Sequence, residues 1–130
     1  MRLVNANSLS AMESLKELIH KVNGEKTDEE LAMYLAINLG TSVFDSWILY
    51  EEDQPVGMIV VEMVDLAREP KAFVPYVWGD KAGRGVLFER VEKWAKSRKL
   101  SKIIIYSNRH YKKYQDYGFE LKRTVMEKEL

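Results

Sequence analysis

The feature that most restricts the fold is a change of hydrophobic period in mid-chain. Ala72 to Trp78 reads as a β-strand. Leu87, Phe88, Val91, Trp94 and Ala95 then recur at helical spacing, with Glu89, Arg90, Glu92, Lys93 and Lys96 on the opposite face. The join between them is a glycine-containing turn, Gly79-Asp80-Lys81-Ala82-Gly83-Arg84-Gly85. A strand that feeds a helix this directly must be covered by it. Lys102 to Ser107, centred on Ile103-Ile104-Ile105, is then the short buried strand to which the chain returns, and the crossover rule makes that unit right-handed. Pro75 has no N–H to give a ladder, so its strand needs an edge, a bulge or a missing hydrogen bond there.

The flanking segments fill out the pattern. Arg2 to Ala6 reads as an edge strand. Ser8 to Val22 carries Leu9, Met12, Leu15, Leu18, Ile19 and Val22 at helical spacing and ends at Asn23-Gly24. Thr27-Asp28-Glu29-Glu30 is a capping box opening a second helix that Gly40 stops. Ser42 to Tyr50 and Val56 to Val64 form a hairpin about the turn Glu52-Asp53-Gln54-Pro55, and a polar loop around Arg68-Glu69-Pro70 leads to the strand with Pro75. Arg109 to Tyr117 predicts a short helix and Gly118 to Leu130 a final strand or pair of strands. The order is β-α-α-β-β-β-α-β-α-β, an α/β (α+β) arrangement with a mixed central sheet flanked by helices. Residues 1–130 read as a single domain.

Composition narrows the chemistry. The chain has 130 residues and no cysteine, which excludes disulfides, a thiolate nucleophile and cysteine-held metal. Two histidines make a histidine-rich metal centre improbable, and no metal is expected. Twenty basic residues balance twenty acidic ones, so no nucleic-acid partner is expected. No apolar run has the length of a membrane span and the N-terminus lacks a signal-peptide core, so the expectation is a cytoplasmic protein without membrane attachment.

The glycine turn is the candidate chemical feature. The first N–H groups of a helix lack intrahelical acceptors, the helix dipole adds positive potential, and glycine leaves room for a phosphate. Lys81 and Arg84 add charge. A tight turn that uses glycine only for its backbone is the structural alternative, at about even weight. The sequence G-x-x-x-x-G-K-S/T is absent, and Gly83-x-Gly85 lacks the third glycine of the dinucleotide fingerprint.

A second motif, Tyr114-Gln115-Asp116-Tyr117-Gly118-Phe119, follows the isoleucine strand and Asn108. With it the chain resembles the GNAT superfamily of acyl-CoA-dependent N-acyltransferases over nearly its whole length. Asp80-Lys81-Ala82-Gly83-Arg84-Gly85 is similar to the family's Gln/Arg-x-x-Gly-x-Gly/Ala loop, with Asp80 standing where the family has Gln or Arg. Tyr114-x-x-x-Gly118-Phe119 is similar to its Tyr-x-x-x-Gly-Phe signature, and Met126 to Leu130 to its last strand.

The resemblance implies a GNAT-like fold and acetyl-CoA as co-substrate. It implies that the strand with Pro75 and the isoleucine strand splay apart. The pantetheine arm would lie between them against the backbone of Val74, Tyr76, Val77 and Trp78. The diphosphate would lie over Asp80, Lys81, Ala82, Gly83, Arg84 and Gly85, with Asn108 beside the cofactor. Tyr114 would protonate the leaving thiolate, and a backbone N–H near Val77 would meet the oxyanion. The absence of cysteine favours direct transfer in a ternary complex. The general base stays open among Glu62, Asp65, His110 and a water relay. The acceptor is a small-molecule or protein amine, and a homodimer is a reasonable assembly. Each residue also has a plainer reading. Tyr114 belongs to a packing run with Tyr106, Tyr111 and Tyr117. Arg109, His110, Lys112 and Lys113 are a solvated face, Trp47 and Trp94 are core, and Trp78 is core or a wall of the acceptor pocket. Two other functions stand beside catalysis: a catalytically silent GNAT-like module that binds acyl-CoA or a protein, and an α+β interaction domain without a cofactor.

Overall fold

The structure is a computed structural model that describes residues 1–6, 14–15, 17–18, 43–66, 68–105, 111–120 and 128–129. Strands β1 (Arg2–Asn5), β2 (Phe44–Glu51), β3 (Gln54–Leu66), β4 (Glu69–Gly79) and β5 (Ile103–Ile105) form one sheet in that spatial order. Neighbours from β1 to β4 are antiparallel and β4–β5 is parallel, so the sheet is mixed. Helix α1 (Lys81–Ser97) makes the crossover between β4 and β5, and α2 (Tyr111–Gln115) follows β5.

Both faces of the sheet are covered, which is why β2 and β3 read as nearly continuous apolar runs. On one face Trp47, Leu49, Ile59, Val61, Ala72 and Val74 pack beneath Leu87, Phe88, Val91, Trp94 and Ala95 of α1. These are the five helix residues whose spacing pointed inward. On the other face Phe44, Ile48, Met58 and Val60 pack with Leu15 and Leu18, both helical. At ~25 cal/mol per Å² of apolar surface, each fully buried large side chain contributes about 1.5–3 kcal/mol. Trp94, Phe44 and Leu15 are among the largest such side chains.

Several boundaries differ from the sequence reading. The β3–β4 connection is a tight turn with Arg68 at φ 65°, and Glu69 and Pro70 already belong to β4. Pro55 lies in β3 opposite Tyr50, where the β2–β3 register shifts, so the turn there is only Glu52-Asp53. The expected glycine turn is largely helix: α1 starts at Lys81, because Asp80 caps it. β5 is half-buried, being the last strand of the described sheet. Gly118 is in a turn, and Phe119, Glu120, Lys128 and Glu129 are outside any strand. The rest of the expected final strand, the second helix and most of the first lie outside the described residues.

Helix α1 ends in a Schellman motif. The Leu100 N–H donates to the Ala95 carbonyl at 2.9 Å and the Lys99 N–H to that of Lys96 at 3.0 Å. Lys99 takes the left-handed position, φ 59°.

Candidate active site

Pro75 shapes the site. Val60 faces Tyr76 and Glu62 faces Phe73, so Val61 alone stands opposite both Val74 and Pro75. This is the bulge that a proline in mid-strand requires. Among the described residues the parallel ladder to β5 covers Ala72, Phe73 and Val74, while β4 runs on to Gly79. Among the described residues no strand extends the β5 ladder past the bulge. Val74 and Val77 turn toward α1, and Tyr76 and Trp78 pack on the opposite face. Side chains of Val74 and Val77 are therefore structural, and what β4 offers a ligand here is backbone.

The strand ends at Gly79 with φ 148°, a conformation that side-chain-bearing residues rarely adopt. Asp80 follows as N-cap, and its Oδ1 accepts the Gly83 N–H at 2.7 Å. Lys81 and Ala82 are left as the helix-start N–H groups without an intrahelical acceptor. Gly83 is buried, and a Cβ there would come within 3.1 Å of Asp80 Oδ1 and 3.4 Å of Leu49 Cδ2. The Arg84 guanidinium does not point away from the loop: Nη1 donates to the Gly79 carbonyl at 2.6 Å. Its Nε is buried without an acceptor among the described residues.

Helix α2 brings aromatic residues onto this loop. The Tyr117 hydroxyl donates to the Lys81 carbonyl at 2.7 Å, and the Arg84 guanidinium lies 6.0 Å from the Tyr117 ring centre. Lys81 Nζ sits 3.4 Å from Asp116 Oδ2, an exposed pair of small energetic weight. Tyr114 packs edge-on to Phe88 and Phe119, and Lys113 Nζ lies 5.1 Å over its ring. Burial raises the Tyr114 pKa, Arg84 opposes that, and Tyr117 adds to it. The phenol is thus held protonated near neutral pH, the state a proton donor needs.

Thus Tyr114, Val77 and Ile105 pack on one apolar cluster, beside the loop from Gly79 to Gly85. Asn108 and His110 lie outside the described residues. Glu62 is half-buried in β3 and, by strand alternation, shares the face of Met58 and Val60. Asp65 is exposed opposite Pro70, at the turn end of the hairpin and away from the bulge. The roles of Asp80 as cap and Tyr117 as tether were not read from the sequence. Asp80 carried a signal, an Asp immediately before a helical run; the Tyr117 contact depends on how α2 docks and carried none.

The residues suit an acyl-CoA unevenly. β4 beyond the bulge suits an extended pantetheine arm. The loop offers two helix-start N–H groups and two cations, but Asp80 already occupies the Gly83 N–H.

No family model matches the chain, and no curated protein matches it in sequence. Solved structures do match. An aminoglycoside antibiotic 6′-N-acetyltransferase from Acinetobacter haemolyticus is similar with a TM-score of 0.83 and 15% identity, over 100% of this chain and 98% of that one. A corresponding enzyme from Acinetobacter baumannii is similar with a TM-score of 0.80 and 16% identity, over 99% and 97%. A further aminoglycoside N-acetyltransferase, solved with the bisubstrate analogue CoA-S-monomethyl-acetylneamine, is similar with a TM-score of 0.82 and 12% identity, over 100% and 99%. At these identities the likeness is one of fold. The chain has the fold of these acetyltransferases, as the loop and tyrosine motifs implied.

Proposed function

We propose that the chain is an acetyl-CoA-dependent N-acetyltransferase that moves an acetyl group to a primary amine by direct transfer in a ternary complex. The observation that carries this reading is the β4 bulge at Pro75, shortly before a capped helix N-terminus, with Val77 and the Tyr114 ring on the same apolar cluster. The fold neighbours solved with CoA support it.

In this reading the thioester supplies an acyl group activated by a thiolate leaving group. The backbone of Val74, Tyr76, Val77 and Trp78 orients the pantetheine arm, and the N–H near Val77 meets the carbonyl oxygen as it gains charge. A carbon–nitrogen bond forms to the neutral amine and the carbon–sulfur bond breaks. The amine's surplus proton leaves to a base or water, and the Tyr114 hydroxyl gives its proton to sulfur. Lys81, Ala82, Gly83, Arg84 and Gly85 hold the diphosphate end. The acceptor is a small-molecule or protein amine, and residues 1–130 act as one domain, in the cytoplasm, with a homodimer as the assembly to test.

Thermal unfolding with about 1 mM acetyl-CoA tests the cofactor, with ATP and NAD as controls. Ligand at roughly 100 times its Kd adds about 2.7 kcal/mol, a shift of several degrees. No shift would remove the enzyme reading. The Asp80 carboxylate at the Gly83 N–H favours one second reading, a catalytically silent module that binds acyl-CoA or a protein partner. Release of free thiol from acetyl-CoA in an amine screen separates the two.

A further inference from the structure

In the loop that the acyl-CoA reading assigns to the diphosphate, this chain carries its own anions. Asp80 Oδ1 holds the Gly83 N–H at 2.7 Å, and Asp116 Oδ2 lies 3.4 Å from Lys81 Nζ. Arg84 Nη1 is turned onto the Gly79 carbonyl. Of the two cations of the loop, Lys81 thus already faces a carboxylate in an exposed pair and Arg84 is engaged by a backbone carbonyl before any ligand arrives. A helix start attracts anions through its dipole and its free N–H groups, and here a covalently attached carboxylate already answers both. The turn nevertheless keeps an unsatisfied donor, since Arg84 Nε is buried with no acceptor among the described residues. Asp80 thus meets only part of what the loop asks of an anion.

We infer that Asp80 is a built-in competitor for the diphosphate of the acyl donor, so that the donor is held mainly by its pantetheine arm along β4. The inference rests on the acyl-CoA reading above. A diphosphate oxygen can take the Gly83 N–H only if the Asp80 carboxylate gives it up. If the carboxylate stays, it stands beside two further negative charges. Loss of the carboxylate's charge, with its capping oxygen kept, should therefore strengthen binding of CoA and leave binding of pantetheine, which has no phosphate, as it was.

Asp80→Asn makes that change, because asparagine caps a helix about as well as aspartate. CoA and pantetheine are titrated calorimetrically into the wild-type chain and into Asp80→Asn at low ionic strength, where screening is weak. Asp53→Asn, in the exposed β2–β3 turn, controls for the change in net charge. The expected result is CoA binding about tenfold tighter or more in Asp80→Asn, unaltered pantetheine binding, and no effect of Asp53→Asn. Thermal melts without ligand confirm that the cap survives. Wild-type binding of CoA that Asp80→Asn leaves unchanged or weakens would overturn the inference and spare the acyl-CoA reading. An equal gain for CoA and pantetheine would also overturn it, since the effect would not then lie at the phosphates. No binding of either ligand by either chain would overturn both.

Discussion

The Tyr117 hydroxyl donates to the Lys81 carbonyl oxygen at 2.7 Å and so fastens the turn after α2 to the first turn of α1. The bond joins residues 36 apart in sequence. Its loss in Tyr117→Phe keeps the ring against Phe88, at 5.2 Å between centroids. A typical net hydrogen bond is worth about 0.5–1.5 kcal/mol. Urea unfolding of Tyr117→Phe should show a loss in that range with an unchanged m-value.

Tyr114→Phe tests the proton donor. Positioned acid catalysis is worth about 10²–10⁴-fold, so kcat should fall by at least roughly a hundredfold while CoA affinity holds. The phenyl ring retains its edge contacts with Phe88 and Phe119. A kcat within a factor of about three of wild type would leave Tyr114 as packing alone.

The same residue sets a pH dependence of stability. Burial raises the Tyr114 pKa above its ordinary value of 10.0. The folded chain then holds this proton more tightly than the unfolded one, so above pH 10 the unfolded state binds fewer protons and stability falls as pH rises. Tyr114→Phe should flatten that alkaline limb. Glu69 has the opposite sign. Its carboxylate accepts from Ser101 Oγ at 3.0 Å and faces Lys102, and both lower its pKa from 4.5. That contribution is present above pH 4.5 and is lost as pH falls, and Glu69→Gln should weaken the acid limb. Chemical unfolding at a series of pH values reads both.

Lys99 occupies the left-handed position of the Schellman motif that glycine prefers. A left-handed conformation costs an L-residue about 1–2 kcal/mol, less the entropy that glycine adds to the unfolded chain. Lys99→Gly should raise stability by about 0.5–1 kcal/mol, some degrees in Tm.

Gly57 marks a close approach of β3 to its neighbours. A Cβ there would stand 3.0 Å from the Trp78 carbonyl oxygen and 3.2 Å from Leu87 Cδ1. The carbonyl belongs to a paired strand and cannot step aside. Gly57→Ala should cost about 1–3 kcal/mol, as overpacking does, measured by denaturant unfolding.

The fold was legible where periodicity and packing agree. The inward face of α1 follows from five residues at helical spacing, and all five are buried. That Pro75 needs an edge, a bulge or a missing ladder bond follows from its missing N–H, and the strand takes the bulge. Boundaries were less legible. Pro70 sits inside β4 and Pro55 inside β3, because a proline at a strand's first residues gives up no ladder bond that the sheet needs. The site was legible as a loop and a tyrosine but not as a set of contacts. Asp80 caps locally and left its trace as an Asp before a helical run, whereas Tyr117 takes its partner from geometry that arises only when the segment after α2 docks on α1, and one-dimensional spacing holds no record of it.

The bulge also acts as a phase marker for everything after it. Without it Val74, Tyr76 and Trp78 would share one face; with it Val74 and Val77, three residues apart, both lie under α1. Removing one residue at Pro75 would restore strict alternation and leave Tyr76, Val77 and Trp78 on the faces they have now, with Val61 opposite Val74 alone. Flattening the bulge at constant length would instead turn the last four residues of β4 by half a revolution and bring Tyr76 and Trp78 into the helix-side core. The strand therefore tolerates the loss of its extra residue far better than the loss of the bulge that stores it.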